Sequence, residues 1–338
     1  MNKKYGALLS VIGVVTAIFI VLGLVFDKSE NEKQQGLNGV FDVSIDGTIA
    51  YIEFEDGKAG IYLTDGSNGP IVQLPVEQTI RDISFSNDGN TLAYIVSDKE
   101  LDTNGGSEVR IVKMEMNSDE LLFSSENIIT ELVFDPKNSN LLFYLQAGVY
   151  TNYSPITGKR PHDFDVYSYD LKDKTQKRNT ELKKYSMQSL QVSATDESVF
   201  VQMDDDENIE TAEELFASKQ RIFQIPLNEL GDKTVISNPV GEEDIYDFLV
   251  LPDREELIYQ AVGGTGENGV FEYELFSFNR KTYETKQLTK IKEHASKPIL
   301  GPDRKIYFLV DRNFGGRQPN FYIYQMSIDG TDIKEIKW

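Results

Sequence analysis

The residues best equipped for chemistry in this chain fall in two short segments. Residues 147–163 read AGVYTNYSPITGKRPHD and gather Tyr150, Tyr153, Lys159, Arg160 and His162; residues 311–320 read DRNFGGRQPN and supply Arg312, Phe314 and Arg317. Both are cationic and aromatic in a protein with 34 basic and 55 acidic residues and a formal net charge of −21. Aromatic rings give large rigid contact area and guanidinium groups give forked hydrogen bonding, the mixture enriched at binding hot spots. These eight residues are the candidate binding residues, and the ligand they imply is a protein segment or an anionic molecule.

Catalytic sets are harder to assemble. His162 and His294 are the only imidazoles, they lie far apart, and no G-x-S-x-G elbow accompanies them, so no Ser/His/Asp triad is indicated. With no cysteine there is no thiol nucleophile, disulfide, cysteine zinc site or lipid-bearing cysteine. Acidic residues are abundant, but no motif singles out a glycosidase pair. No catalytic residue and no metal ligand is assigned, and no cofactor is implied. Gly264–Gly269 matches G-x-G-x-x-G, yet the aromatic run Tyr273–Phe278 follows it instead of a helix, which leaves no helix N-terminus for a pyrophosphate. The acidic run Asp204, Asp205, Asp206, Glu207, Asn208 offers oxygen ligands to Ca²⁺ but lacks the alternating calcium-loop register, as does Asp98, Asp102, Asn104, Gly105. Thr211 with Glu214 has capping-box spacing and predicts a short helix at about 211–220. So acidic a chain is a poor match for nucleic acid, which needs a basic footprint.

Whatever recognises a ligand must be held by a scaffold, and the scaffold is legible as a repeat. Six apolar, β-branched and aromatic runs recur: Thr48–Phe54, Thr91–Val96, Leu141–Gln146, Val199–Met203, Glu256–Val262 and Lys305–Val310. Each follows a turn tetrad that begins at Ser44, Ser86, Asp135, Ser193, Leu251 or Gly301 and is mostly rich in Asp, Asn, Gly or Pro. Asp, Asn and Gly tolerate positive φ and Pro presets the first turn corner, so each tetrad suits a hairpin. Units of roughly 40 to 50 residues with four strands each predict an all-β six-bladed propeller of four-stranded antiparallel blades.

The phrases ISFSNDGNTLAYIVS, from Ile83, and PILGPDRKIYFLV, from Pro298, resemble the F-S-P-D-G-x-x-[LI]-[AY]-[FY] repeat of TolB-like six-bladed β-propellers. The resemblance covers residues 40–338. It implies the architecture and leaves the function open, because such propellers serve as docking proteins, as gating domains of peptidases and as scaffolds for sugar-acid lyases. The α/β domain of TolB and the hydrolase domain of the peptidases have no counterpart here.

Gly6–Phe26 is uncharged and apolar over 21 residues, enough at ~1.5 Å per residue to cross a hydrocarbon core of roughly 30 Å. Its length and the lack of a small-residue cleavage site favour an uncleaved signal anchor over a cleaved signal peptide. Lys3 and Lys4 precede it and DKSENEK follows, which predicts a cytoplasmic tail at 1–5, a transmembrane helix at 6–26, and everything later extracytoplasmic. Beyond residue 26 there remain 32 basic and 55 acidic residues, net −23. Residues 27–39 read as a polar, flexible tether. The blades are expected at about 40–75, 80–124, 129–185, 187–240, 244–291 and 295–338, with no strand exchanged to close the ring and closure left to packing between blades one and six.

In a propeller the loop between second and third strands shares a face with the connections between blades. Blade one has the tight turn Glu55-Asp56-Gly57-Lys58 there, whereas residues 97–108, 147–163, 204–220, 263–272 and 311–320 lengthen the other five. The two cationic-aromatic segments are the inserts of blades three and six, which stand opposite in a six-membered ring. The function expected is a membrane-anchored docking module whose loop-rich face holds a protein or cell-envelope ligand. The second reading is a lyase or hydrolase acting on a sugar or sugar acid at the channel mouth.

Overall fold

The repeat begins with its turns. In a computed structural model, which describes residues 3–26, 28–64, 69–101, 105–152, 158–206, 218–228, 232–267 and 269–337, the N–H of Gly47 donates to the Ser44 carbonyl at 2.9 Å, and the N–H of Thr48 donates to Asp46 Oδ1 at 2.9 Å. Ser86–Asn90 and Gly301–Lys305 repeat both bonds, with the carboxylates of Asp88 and Asp303 in the place of Asp46. Gly47 and Gly89 take φ of 91° and 71°, which side-chain-bearing residues avoid. Each turn delivers the chain into a second strand whose side chains are mostly buried, such as Leu92–Val96 within Thr91–Asp98.

Among the described residues twenty-four strands follow in six consecutive four-stranded antiparallel units, so from Gly36 onward they form a β-propeller. The first strands are Gly36–Val43, Gln78–Phe85, Ile129–Asp135, Met187–Val192, Phe248–Val250 and His294–Leu300. One parallel pair, Tyr273 with His294, joins blades five and six at their edge. The second strands are buried on both faces where blades meet, which explains runs such as LLFYL without polar alternation. The core accordingly divides into six apolar clusters, one in each interface between neighbouring blades. The interface between blades six and one joins Phe41, Ile49 and Tyr51 to Tyr307, Leu309 and Ile323. Among the described residues, the strands of blade one come only from 36–73 and those of blade six only from 294–335. The ring therefore closes through side chains, with the Phe321 ring lying where a Cβ on Gly39 would come within 2.9 Å of it.

The N-terminal part departs from the sequence expectation. The first strand starts at Gly36, four residues earlier than expected, and pairs Gly36 with Phe54. The segment 28–35, expected to be a flexible tether, is bonded to blade one: the N–H of Gly57 donates to the Gln34 carbonyl at 3.0 Å and Lys28 Nζ lies 2.9 Å from Asp56 Oδ1. Asp56 and Gly57 both have positive φ, 47° and 78°, the geometry that matches the twist of a two-residue hairpin. Ahead of it a helix spans Lys3–Phe26. Among the described residues no helix is long and apolar enough to cross a membrane. The uninterrupted run of described side chains, 11–23, would reach only about 20 Å at ~1.5 Å per residue. The side chains of 7–10 and 24–26, which the transmembrane reading also needs, lie outside the described residues, as do 211–217, where a short helix was expected.

Candidate functional site

A belt of polar side chains crosses the blades halfway along the first strands. Asp42 Oδ2 in blade one accepts the N–H of Phe85 in blade two at 2.6 Å. Asp82 in turn accepts the N–H of Leu132 at 3.0 Å, and Glu131 accepts the N–H groups of Ser189 and Leu190 at 2.9 and 2.7 Å. The Ser189 hydroxyl donates to Asp247 Oδ1 at 2.7 Å, and Asp247 Oδ2 accepts the N–H of Lys297 at 3.1 Å. Each bond runs from one blade to the next, and among the described residues none of this kind joins blade six to blade one. First-strand irregularities at Gln188/Gln191 and Ser296/Ile299 free the N–H groups of Ser189, Leu190 and Lys297 from the ladder within the blade. The belt members Asp82, Glu131, Ser189, Asp247 and Lys297 all stand four residues before the turn tetrads at Ser86, Asp135, Ser193, Leu251 and Gly301. A polar residue at that fixed offset in an otherwise apolar strand is the signal the sequence carries for the belt.

The belt forms the floor of a central cavity of about 800 Å³ to which all six blades contribute. Its walls run from the belt to the turns between first and second strands, so it opens on the face opposite the inserts; Ile45, Pro136, Ala194, Pro252 and Pro302 stand at the rim. The belt carboxyls are half-buried and line this cavity. Loss of water pushes Asp42 up to about 7, against the N–H bonds from Phe85 and Val43 that oppose the rise. Loss of water together with the neighbouring Asp82 pushes Glu131 up to about 7, and loss of water raises Asp82 while Lys297 opposes that rise. Lys297, from blade six, thus acts electrostatically on acids of blades two and three while forming no ion pair within 4.0 Å among the described residues. Such a floor can receive or release protons near neutrality and presents both a cation and anions to whatever enters.

The insert residues lie elsewhere, and each insert leans on the preceding blade. The Tyr150 hydroxyl donates to the Leu101 carbonyl of blade two at 3.0 Å, and Tyr153 lies outside the described residues. Lys159 and Arg160 are exposed and pair with Asn152 and Thr151 in the extended hairpin. His162 is buried, with Nε2 at 3.0 Å from Thr151 Oγ1 and Nδ1 at 2.9 Å from Asp163 Oδ1, so it pins that hairpin. Arg312 lies over the Tyr322 ring at 3.9 Å and pairs with Glu335 at 2.7 Å, which ties it to the outer strands of its own blade. Phe314 stacks on His294 at 4.2 Å and meets Tyr273 of blade five edge-on at 5.4 Å. Arg317 is exposed. Asp206 pairs with Lys184. Among the described residues no group of three or more His, Asp or Glu is placed to hold a metal ion, while Asp102, Asn104, Glu207 and Asn208 lie outside them. Gly266 and Gly269 turn the hairpin between Glu256–Thr265 and Phe271–Asn279.

No family model matches this sequence, and no curated protein does. Solved structures do resemble it. TolB from Acinetobacter baumannii is 14% identical, with 86% of this chain and 63% of that one covered and a TM-score of 0.54. An oligogalacturonate lyase from Vibrio parahaemolyticus is 12% identical, with 87% and 78% covered and a TM-score of 0.55. The β-propeller domain of the Trilobed protease from Pyrococcus furiosus, described as having an open velcro topology, is 14% identical, with 91% and 84% covered and a TM-score of 0.51. This chain therefore spans less than two thirds of the length of TolB. At such identities the likeness concerns the fold alone. Six consecutive four-stranded blades among the described residues and these likenesses make the fold a six-bladed β-propeller similar to that of TolB.

Proposed function

We propose that this protein is a membrane-anchored, extracytoplasmic binding module that takes part of a protein or cell-envelope ligand into its central channel. The observation that carries the reading is the cavity of about 800 Å³ lined by all six blades, a size within the range of pockets that enclose ligands. Its apolar rim suits a side chain or sugar face, and its floor offers Lys297 to anions and Asp42, Asp82 and Glu131 to cations. The net charge of −23 beyond residue 26 steers cationic partners toward the ring, an effect that salt screens within about 8 Å at physiological strength. Of the insert residues, Tyr150, His162, Arg312 and Phe314 serve on the opposite face as props of the loops, and Lys159, Arg160 and Arg317 are exposed there. What supports the anchor is the uncharged run Gly6–Phe26 with Lys3 and Lys4 before it, and exposed side chains such as Phe19 and Ile20 on the helix.

A photoreactive residue at Ile45, tested in intact cells, distinguishes the faces. It captures a ligand that the rim change Ala194→Arg abolishes, with thermal stability unaltered. Equal capture from Thr265 on the insert face, unaffected by Ala194→Arg, refutes entry through the channel. The second reading, a lyase or hydrolase for sugar acids, is favoured by two carboxyl groups held near 7 in one cavity. Turnover of acidic oligosaccharides that is lost in Glu131→Gln, a variant that still folds, would select it.

A further inference from the structure

Residues 28–35 fold against the ring in a way that decides which of its faces meets the membrane. Glu32 Oε2 accepts the N–H and the hydroxyl of Ser29 at 2.7 and 2.9 Å, and the N–H of Glu32 donates to Ser29 Oγ at 3.3 Å, a reciprocal cap that locks one turn. That turn is then fastened at several points. Lys28 Nζ pairs with Asp56 Oδ1 at 2.9 Å, Gln35 Nε2 donates to the same oxygen at 3.1 Å, and the Gly57 N–H donates to the Gln34 carbonyl at 3.0 Å. Lys99 Nζ, at the start of the blade-two insert, donates to the carbonyls of Asn31 at 3.3 Å and Gly57 at 2.6 Å. The packing is close enough that a Cβ on Gly57 would stand 2.2 Å from the Asn31 oxygen.

Every fastening point, Asp56, Gly57 and Lys99, belongs to a connection between second and third strands, so the segment sits on the insert face. The helix ends at Phe26 and the first fastened residue is Lys28, two chain steps that span at most about 7 Å. A seven-residue strand is roughly 23 Å long, which is the least the chain would have to cross to bring the helix to the turn face. The connection is too short by a wide margin.

We infer that residues 28–35 are an ordered strap that holds the ring with its insert face toward the membrane, so that the cavity opens away from the bilayer. This rests on the proposed anchoring by the N-terminal helix. The ligand then reaches the channel from the side of the cell wall or the surrounding medium, and the insert face meets only lipid headgroups and membrane-embedded neighbours.

The absence of cysteine makes the test direct. Single changes Ile45→Cys on the turn face and Thr265→Cys on the insert face, in the full-length chain in native membranes, are reacted with a maleimide carried on a bulky polymer before and after detergent. Ile45→Cys reacts at one rate throughout, and Thr265→Cys reacts several-fold faster once detergent removes the bilayer. A flexible Gly-Ser linker inserted after Asp27, long enough to span the ring, abolishes the difference. Equal rates at both positions in a chain that stays in the membrane pellet overturn the orientation and leave the anchor standing. A shielded Thr265→Cys that persists with the linker inserted shows that the strap is not its cause. A chain recovered in the soluble fraction overturns the anchor, and the orientation with it.

Discussion

Glu131 in blade three accepts the backbone N–H groups of both Ser189 and Leu190 in blade four, at 2.9 and 2.7 Å, so one carboxylate fixes the register between two blades. In Glu131→Ala both donors face a half-buried, apolar-walled space without an acceptor. Stranding such donors costs about 1–3 kcal/mol each, so a loss of about 2–6 kcal/mol is expected in urea unfolding. Glu131→Gln keeps one side-chain oxygen as acceptor and loses distinctly less. Equal losses in the two variants would show that the carboxylate acts through its charge and not as an acceptor.

The six turns and their second strands were legible because their determinants are local: Asp46, Asp88 and Asp303 bond to N–H groups two residues onward, and period and composition mark the strands. The belt was not, since its bonds join residues as far apart as Glu131 and Ser189, and an isolated acid in an apolar strand can face a channel, a neighbour or solvent. The strap was misread for a related reason. Its composition is that of a linker, and its order comes from Asp56, Gly57 and Lys99, which are distant in sequence. Among the insert residues, the contacts of His162, Arg312 and Phe314 go to their own or the preceding blade, a partnering that residue type alone does not reveal.

Asp42 and Glu131 give stability a particular pH dependence. Their pKa of about 7 in the fold exceeds the ordinary value near 4, so between those limits the folded chain holds protons that the unfolded chain has released. Stability due to them is full below about pH 4 and is lost as pH rises toward 7. Asp46, Asp88 and Asp303, lowered with hydrogen bonds from their turns among the causes, act in the other sense, but only as pH falls through the acid range. His294, lowered by burial, also opposes the trend. The urea midpoint is therefore expected to fall from pH 5 to pH 8, with a shallower fall in the double variant Asp42→Asn, Glu131→Gln. An identical slope in the variant would contradict this assignment.

Among the described residues the belt does not cross the junction of blades six and one and no strand is exchanged there, which makes it the weak seam of the ring. Ile323 is buried there among Phe41, Tyr51 and Leu309. Ile323→Ala should cost about 2–5 kcal/mol, the usual range for emptying such a site. A chain ending at Asp329 loses the strand Lys334–Glu335, its pairing with Tyr324 and Gln325, and the Arg312–Glu335 ion pair. Its melting temperature should drop, and unchanged thermal unfolding would show that closure does not depend on this edge.

Gly57→Ala tests the strap without touching the channel. The residue takes φ of 78°, a conformation that costs a side-chain-bearing residue roughly 1–2 kcal/mol, and its new methyl group would overlap the Asn31 carbonyl. The hairpin can bear the first effect, since neighbouring Asp56 already holds φ of 47°. It cannot bear the second without moving residues 31–34, because the obstructing atom is backbone. The strap should then detach while the ring persists, which limited trypsin digestion would report as faster cleavage after Lys28 and Lys33 with strand circular dichroism unchanged. Lys99→Ala, which removes two bonds to the same segment but adds no bulk, should produce a smaller acceleration. If neither variant alters cleavage, the bonds at Asp56 alone hold residues 28–35, and Lys28→Ala becomes the change that releases them.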